Sequence, residues 1–163
     1  DTNWKDIDFL IIDLPPGTGD VQLTLCQKIP VSGAVIVTTP QDISLIDARK
    51  GLKMFEKVEV PVLGVIENMS SFICPECGKM ESIFGEGGGE QLAQENGVKL
   101  LGELPLQKQI REEMDKGTPT VSQNPESPTS KAFREIARKM AATLSMRKKD
   151  YSSVFPKIVI QND

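Results

Sequence analysis

The sequence predicts an α/β fold, a parallel sheet with helices on both faces. Three observations carry that expectation. Short apolar runs such as Phe9–Ile12, Ala34–Val37 and Val62–Ile66 lack period-two alternation, as strands buried on both faces do. Segments with apolar residues at helical spacing separate these runs. Glycine and proline punctuate the joins, and no internal repeat or low-complexity tract interrupts the rhythm.

Each element can be justified in turn. The first strand, around Phe9–Ile12, ends where Pro15 and Pro16 forbid a continuing ladder. A helix from Val21 to Lys28 follows, with Thr18 or Asp20 placed to cap it. Gly33–Thr38 is a second buried strand, broken by Pro40. Ile43–Lys57 carries Leu45, Ile46, Leu52 and Phe55 in a helical pattern, and Val62–Ile66 is the third strand. Residues 69–84 leave the alternation and read as an inserted loop around two cysteines. The glycines of 85–89 open a helix to about Glu95, which Gly97 is placed to close. Lys99–Leu104 is a fourth strand, followed by a helix through Ile110 and Met114. Residues 117–128, rich in Gly, Pro, Ser and Thr, form a connector. A last helix over 129–146 puts Phe133, Ile136, Ala137, Met140, Ala141 and Leu144 on one face and Lys131, Arg134, Arg138 and Lys139 on the other, a solvated charged face. Residues 1–146 thus read as one domain portion and 147–163 as a tail, in which Ile158–Ile160 is a candidate extra strand or partner contact.

Composition narrows the function. The chain has 163 residues, 39% hydrophobic and 26% charged, enough for one real core and unlike a disordered chain. No apolar stretch reaches the roughly 18 residues of a membrane span, and no secretory leader pattern opens the chain, so a cytoplasmic protein without membrane contact is expected. The net charge of −4 argues against nucleic acid as a partner. The absence of histidine from the sequence removes Ser-His-Asp and Cys-His nucleophile systems and histidine metal sites. Catalysis here must draw on carboxylates, lysine, backbone amides, thiols or a bound metal.

Two motifs carry chemistry. In parallel sheets, ligands sit at the carboxyl ends of strands, which selects Asp13–Asp20, Thr38–Asp42, Asn68–Ser70 and Pro105 onward. The first motif is the apolar run ending in Asp13-Leu14-Pro15-Pro16-Gly17. A strand-end aspartate can hold Mg²⁺ at a nucleotide phosphate, and Gly17 leaves room for phosphate to approach the backbone. A G-x-x-x-x-G-K-[ST] phosphate loop does not occur in the sequence. The second motif is Cys74-Pro75-Glu76-Cys77-Gly78, a C-x-x-C with a glycine for the tight turn. Two thiolates are half of a four-ligand zinc or iron–sulfur site, and Cys26 lies apart in a helix. A two-fold dimer sharing one metal site, a reversible disulfide, and an inert pair on a loop all remain open on spacing alone.

Five motifs occur in order: 8–20 around Asp13 and Gly17, Thr38–Asp42, 69–78 around the cysteines, 84–89, and Leu101–Leu106. Together they resemble the Mrp/ApbC family of iron–sulfur cluster carrier ATPases, relatives of MinD and ParA in the deviant-Walker P-loop class, over about Trp4 to Ser145. The resemblance implies an ATP-dependent homodimer that holds a [4Fe–4S] cluster between subunits and delivers it to apo iron–sulfur proteins. By position, Asp13 matches the Walker B aspartate near Mg²⁺ and Gly17 the switch glycine near the γ-phosphate. Asn68 matches the asparagine that reads the adenine edge, Pro105 falls at the nucleotide-side strand end, and Cys74 and Cys77 match the cluster ligands.

The family's Walker A motif lies upstream of the Asp13 motif and is not in this sequence. The chain therefore resembles the C-terminal portion of a P-loop ATPase domain, and by itself is expected not to hydrolyse ATP. The strand at Phe9–Ile12 is expected to lack its neighbour and to expose an apolar edge. The competing reading is a MinD-like or ParA-like positioning ATPase, or a non-catalytic interaction domain, whose C-x-x-C binds zinc or nothing.

Overall fold

A single twelve-residue strand, β2 (Val62–Ile73), organises the sheet in the computed structural model, which describes residues 3–15 and 19–147. β1 (Ala34–Thr38) runs parallel along one edge of β2, from Ala34 opposite Val62 to Thr38 opposite Glu67. β4 (Leu100–Leu106) runs parallel along the other, from Val65 opposite Leu100 to Phe72 opposite Leu106. β3 (Met80–Glu81) turns back antiparallel on the far end of β2, Phe72 facing Glu81 and Ile73 facing Met80. The sheet is thus parallel at its centre and mixed at one corner.

Helices cover both faces, as expected. On one face, α2 (Asp42–Lys57) and α3 (Gly88–Glu95) bury Leu45, Ala48, Leu52, Phe55, Leu92 and Ala93 against Ala34, Ile36 and Val65. Each of the larger side chains contributes on the order of 1.5–3 kcal/mol by leaving water. α1 (Asp20–Lys28) adds Leu23 and Cys26 at the border of that core. On the other face, α6 (Pro128–Ser145) sets Ile136 against Leu101 and Leu104, flanked by Val35 and Ile66. α4 (Lys108–Asp115) and the single turn α5 (Thr120–Gln123) carry the chain across to α6. The ends of these helices follow local chemistry. Gly97 takes a left-handed φ of 64° after α3, its N–H reaching Gln94 and that of Val98 reaching Ala93, a paired closure of two carbonyls. Ser127 caps α6, its hydroxyl oxygen accepting from Ser130 N at 3.1 Å, with Pro128 in the first turn.

Several expectations are corrected. Phe9–Ile12 forms no strand; the four side chains are 41–75% exposed and only Leu14 of this segment packs on the core. A strand exists only through a neighbour's backbone groups, and no described element offers Phe9–Ile12 a ladder. Gly19 occupies the N-cap of α1 and Asp20 is the first helical residue, not the cap, while Thr18 lies outside the described residues. β1 is not buried on both faces, since Val37 is exposed. The third strand does not end at Ile66, and residues 69–84 are not simply a loop: β2 continues to Ile73 and β3 answers it. Ala137, assigned to the apolar face of α6, is exposed. The proposed tail strand at Ile158–Ile160 lies outside the described residues.

The seam between α6 and β4 depends on Gly102. A Cβ there would stand 2.6 Å from Ile136 Cγ1, so the helix rests on bare backbone. Gly102→Ala should therefore destabilise the protein by about 1–3 kcal/mol through overpacking. Urea unfolding measures it, and an unchanged midpoint would show that α6 yields freely.

Candidate functional site

The carboxyl edge of the sheet is where the sequence directed attention, and it is built from the ends of three strands. At the end of β1, the Thr38 and Ser44 hydroxyls share a hydrogen bond of 2.9 Å, and Thr39 N donates to Ser44 Oγ at 3.1 Å. These bonds tie the first turn of α2 to the strand. Thr39 Oγ1 is buried without a hydrogen-bond partner among the described residues.

Asn68 and Pro105 are brought together here. Asn68 lies opposite Leu104, so Pro105 follows immediately on the adjacent strand. Neither is beyond a strand end: Asn68 is within β2 and Pro105 is the penultimate residue of β4. The ladder nevertheless breaks after Asn68. Met69 adopts a φ of 57°, and β2 advances four residues from Asn68 to Phe72 while β4 advances two. This bulge is the physical remnant of the expected strand end. Asn68 Oδ1 accepts from Met69 N at 3.0 Å, and Ser70 Oγ donates to the Leu104 carbonyl at 3.2 Å, holding the bulge to β4.

Asp13 sits elsewhere, exposed on the segment before α1. That segment is anchored by Gln22, a buried residue of α1 whose Nε2 donates to the Pro15 carbonyl at 2.8 Å. Gly17 lies outside the described residues.

Cys74 and Cys77 meet at the tip of the β2–β3 hairpin. Cys74 N donates to the Lys79 carbonyl and Gly78 N to the Cys74 carbonyl, both at 2.9 Å. Gly78 takes a φ of 70° that lets the turn close. Backbone N–H groups of Cys77 and then Glu76, followed by the Cys77 thiol, aim at the Cys74 sulfur and lower its pKa below that of an ordinary thiol. Cys74 is half-buried and Cys77 exposed, and both are free. A thiol whose pKa is lowered in this way suits a metal or cluster ligand, which binds as thiolate. Among the described residues no group of three or more Cys, Asp and Glu converges on one point. Cys26, in α1, is half-buried at the core's border, and burial raises its pKa.

Glu67 escaped sequence reasoning. It lies in the middle of the third apolar strand, is 1% exposed, and its Oε2 accepts from Gly89 N in the first turn of α3. Burial pushes its pKa up; the Gly89 bond opposes this, and the negative charges of Glu103 on β4 and Glu90 on α3 add to the rise. The signal was present as the lone charge of β2, directly after the apolar run Val62–Ile66. The glycine run 85–89 explains itself here: a Cβ on Gly89 would stand 2.9 Å from Glu67 Cβ, and one on Gly88 2.9 Å from the Pro40 carbonyl oxygen.

This edge, a parallel sheet with its strand-end loops and a hairpin of paired thiols, defines a parallel-sheet α/β protein with a cysteine hairpin. A family model described as the NUBPL iron-transfer P-loop NTPase, in the ParA group, matches residues 1–141, and the chain belongs to that family. The iron–sulfur cluster carrier protein of Escherichia coli K12 is 60% identical over 144 residues, 88% of this chain and 39% of that protein. An Arabidopsis thaliana mitochondrial iron–sulfur protein required for NADH dehydrogenase is 49% identical over 142 residues, 87% of this chain and 45% of that protein. The chain thus spans less than half the length of these relatives. Among solved structures, a nucleotide-binding protein from Archaeoglobus fulgidus in complex with ADP superposes with a TM-score of 0.66 at 37% identity, covering 80% of this chain and 52% of that one. The cell division ATPase MinD of Pyrococcus furiosus gives 0.54 at 27% identity, covering 68% and 43%. The fold class read from the sequence and the resemblance to this family are both borne out.

The two thiol environments predict a reactivity order. In the reduced, metal-free protein near neutral pH, iodoacetamide should alkylate Cys74 well ahead of Cys26, as mass spectrometry of timed digests would record; equal rates would mean that the amide cradle does not form. Glu67 predicts a pH trend. Its native pKa is raised, so the folded state holds that proton more tightly than the unfolded state, and stability is lost as pH rises from the ordinary glutamate value through the raised one. Glu67→Gln keeps an acceptor for Gly89 without that loss. Its stability relative to wild type should rise with pH across this window in urea unfolding, and a falling difference would show that the charge is net favourable.

Proposed function

We propose that the protein is an ATP-dependent iron–sulfur cluster carrier, a homodimer that takes a [4Fe–4S] cluster as cargo between its subunits and delivers it to apo iron–sulfur proteins. The observation that carries the reading is the Cys74–Cys77 hairpin: two free thiols at one tip, Cys77 exposed and the Cys74 pKa lowered, with half the ligands of a cluster. A second copy related by two-fold symmetry supplies the other half. The carrier names of the E. coli relative and others, together with the family's iron-transfer description, support the cargo. The ADP in the Archaeoglobus neighbour supports the nucleotide.

The chain's own residues divide the work. Cys74 and Cys77 bind the cargo and release it to recipient thiolates. Asp13 is assigned to orient Mg²⁺ and Gly17 to face the terminal phosphate, with Asn68 and Pro105 beside the adenine. When bound, Mg²⁺ supplies charge neutralisation on the phosphates. Asn68 has its Oδ1 committed to Met69 N, which orients its amide group from within the bulge. The absence of a span-length apolar helix among the described residues is compatible with work in the cytoplasm.

Anaerobic reconstitution of the full-length protein tests the reading. About four iron per dimer are expected, and Cys74→Ala or Cys77→Ala should abolish binding while Cys26→Ala leaves it. Loss with Cys26→Ala and retention with Cys74→Ala would sink the assignment. Asp13→Ala should lower Mg²⁺-dependent turnover by about 10²–10³-fold, as loss of an active-site group does. Asn68→Ala should narrow the preference for ATP over GTP by about 1–3 kcal/mol, by analogy with other base readers.

A further inference from the structure

The segment that carries the cysteines begins with the outer part of β2, after Glu67, and re-enters the helical layer at Gly89. Its outgoing leg is held to β4 by Ser70 Oγ on the Leu104 carbonyl and by the Phe72–Leu106 pairing. Its returning leg passes Ser82, whose hydroxyl donates to Glu86 Oε1 at 2.7 Å, and Gly85, whose N–H reaches the Ser82 carbonyl, and then enters α3 at Gly88. The side-chain bond that closes the base of this excursion joins its two bounding residues, Glu67 and Gly89, 22 apart in sequence. The fit there is close: Gly89 has no room for a Cβ, and Glu67 is sealed from solvent.

We propose that Glu67 is a positioning residue for the thiol pair: its carboxylate clamps the returning leg at Gly89 to the outgoing leg on β2, and so sets the hairpin geometry with which Cys74 and Cys77 bind metal. The inference rests on the reading of those cysteines as metal or cluster ligands. The physical reason is leverage. The excursion spans residues 68–88, and β3 pairs with β2 at only two positions. The outgoing leg is secured along β4, so the placing of the tip depends on where the returning leg is fixed, and the Glu67–Gly89 bond fixes that leg to β2. A buried hydrogen bond is well suited to this, because water does not compete for it, and breaking it strands a polar group in the core.

Co²⁺ is the probe, titrated anaerobically into reduced, nucleotide-free full-length protein and followed by the thiolate-to-metal charge-transfer absorption. Cys74→Ser should abolish the absorption; if it does not, the cysteines are not the ligands and the underlying functional reading fails. With that control satisfied, Glu67→Ala should weaken Co²⁺ binding about tenfold, the lower end of what loss of an outer-shell support costs. Glu67→Gln, whose amide oxygen can still accept from Gly89, should restore the affinity to within about threefold of wild type. Ile136→Val, which trims the opposite core by one methylene, should leave the affinity unchanged, separating positioning from general stability. Gly89→Ala forces the clamp open from the other side and should match Glu67→Ala; it also decides the matter if Glu67→Ala does not fold. Wild-type affinity in Glu67→Ala or Gly89→Ala, or no recovery in Glu67→Gln, overturns the clamp while leaving the cysteines as ligands.

Discussion

The fold depends on one strand being paired along both edges. β2 takes β1 on one side and β4 on the other, so its middle is enclosed by two parallel ladders and by a helix layer above and below. Val65, at that crossing, is fully buried. Parallel strands require crossovers, and the crossovers are the helices that seal the two faces. The carboxyl half of this strand carries Glu67, the bulge at Asn68 and Met69, and then the thiol hairpin.

Polarity inside the sheet is confined to that same end. Thr38 and Glu67 are opposite one another on β1 and β2, both buried, and each makes its bond to the first turn of a helix, Ser44 in α2 and Gly89 in α3. The amino-terminal halves of the strands contain aliphatic residues instead. An edge with buried hydrogen-bonding groups against helix N-termini costs desolvation, and proteins keep such groups where position matters more than stability. The open contrast is Phe9–Ile12, whose apolar side chains remain exposed because a strand is a property of a pair of segments and no described element pairs with this one.

Much of the architecture was legible. Hydrophobic period distinguished the helices from the strands. Gly97 marked the end of α3 because only a residue tolerant of φ near 64° closes a helix that way. The C-x-x-C spacing announced a turn that holds two sulfurs at one tip. Glu67 was harder to see, since a single carboxylate in an apolar strand has no period and its partner is 22 residues away. The length of β2 was misjudged for a related reason. Met69 and the polar residues after Asn68 end the apolar pattern, yet β4 and β3 provide backbone partners that carry the strand to Ile73.

By itself, then, the sequence determined the class of fold, the order of its helices and central strands, the family, and the turn that carries the C-x-x-C, because period, glycine placement and motif spacing are local properties of the chain. Tertiary structure alone decided where β2 ends, that Phe9–Ile12 is not a strand, that Asn68 and Pro105 are neighbours, that the Cys74 pKa is lowered, and that Glu67 is buried against Gly89. Each of these depends on which backbone or side chain arrives from a distant part of the chain, and ladder partners, desolvation and amide orientation are set by that meeting rather than by the residue itself.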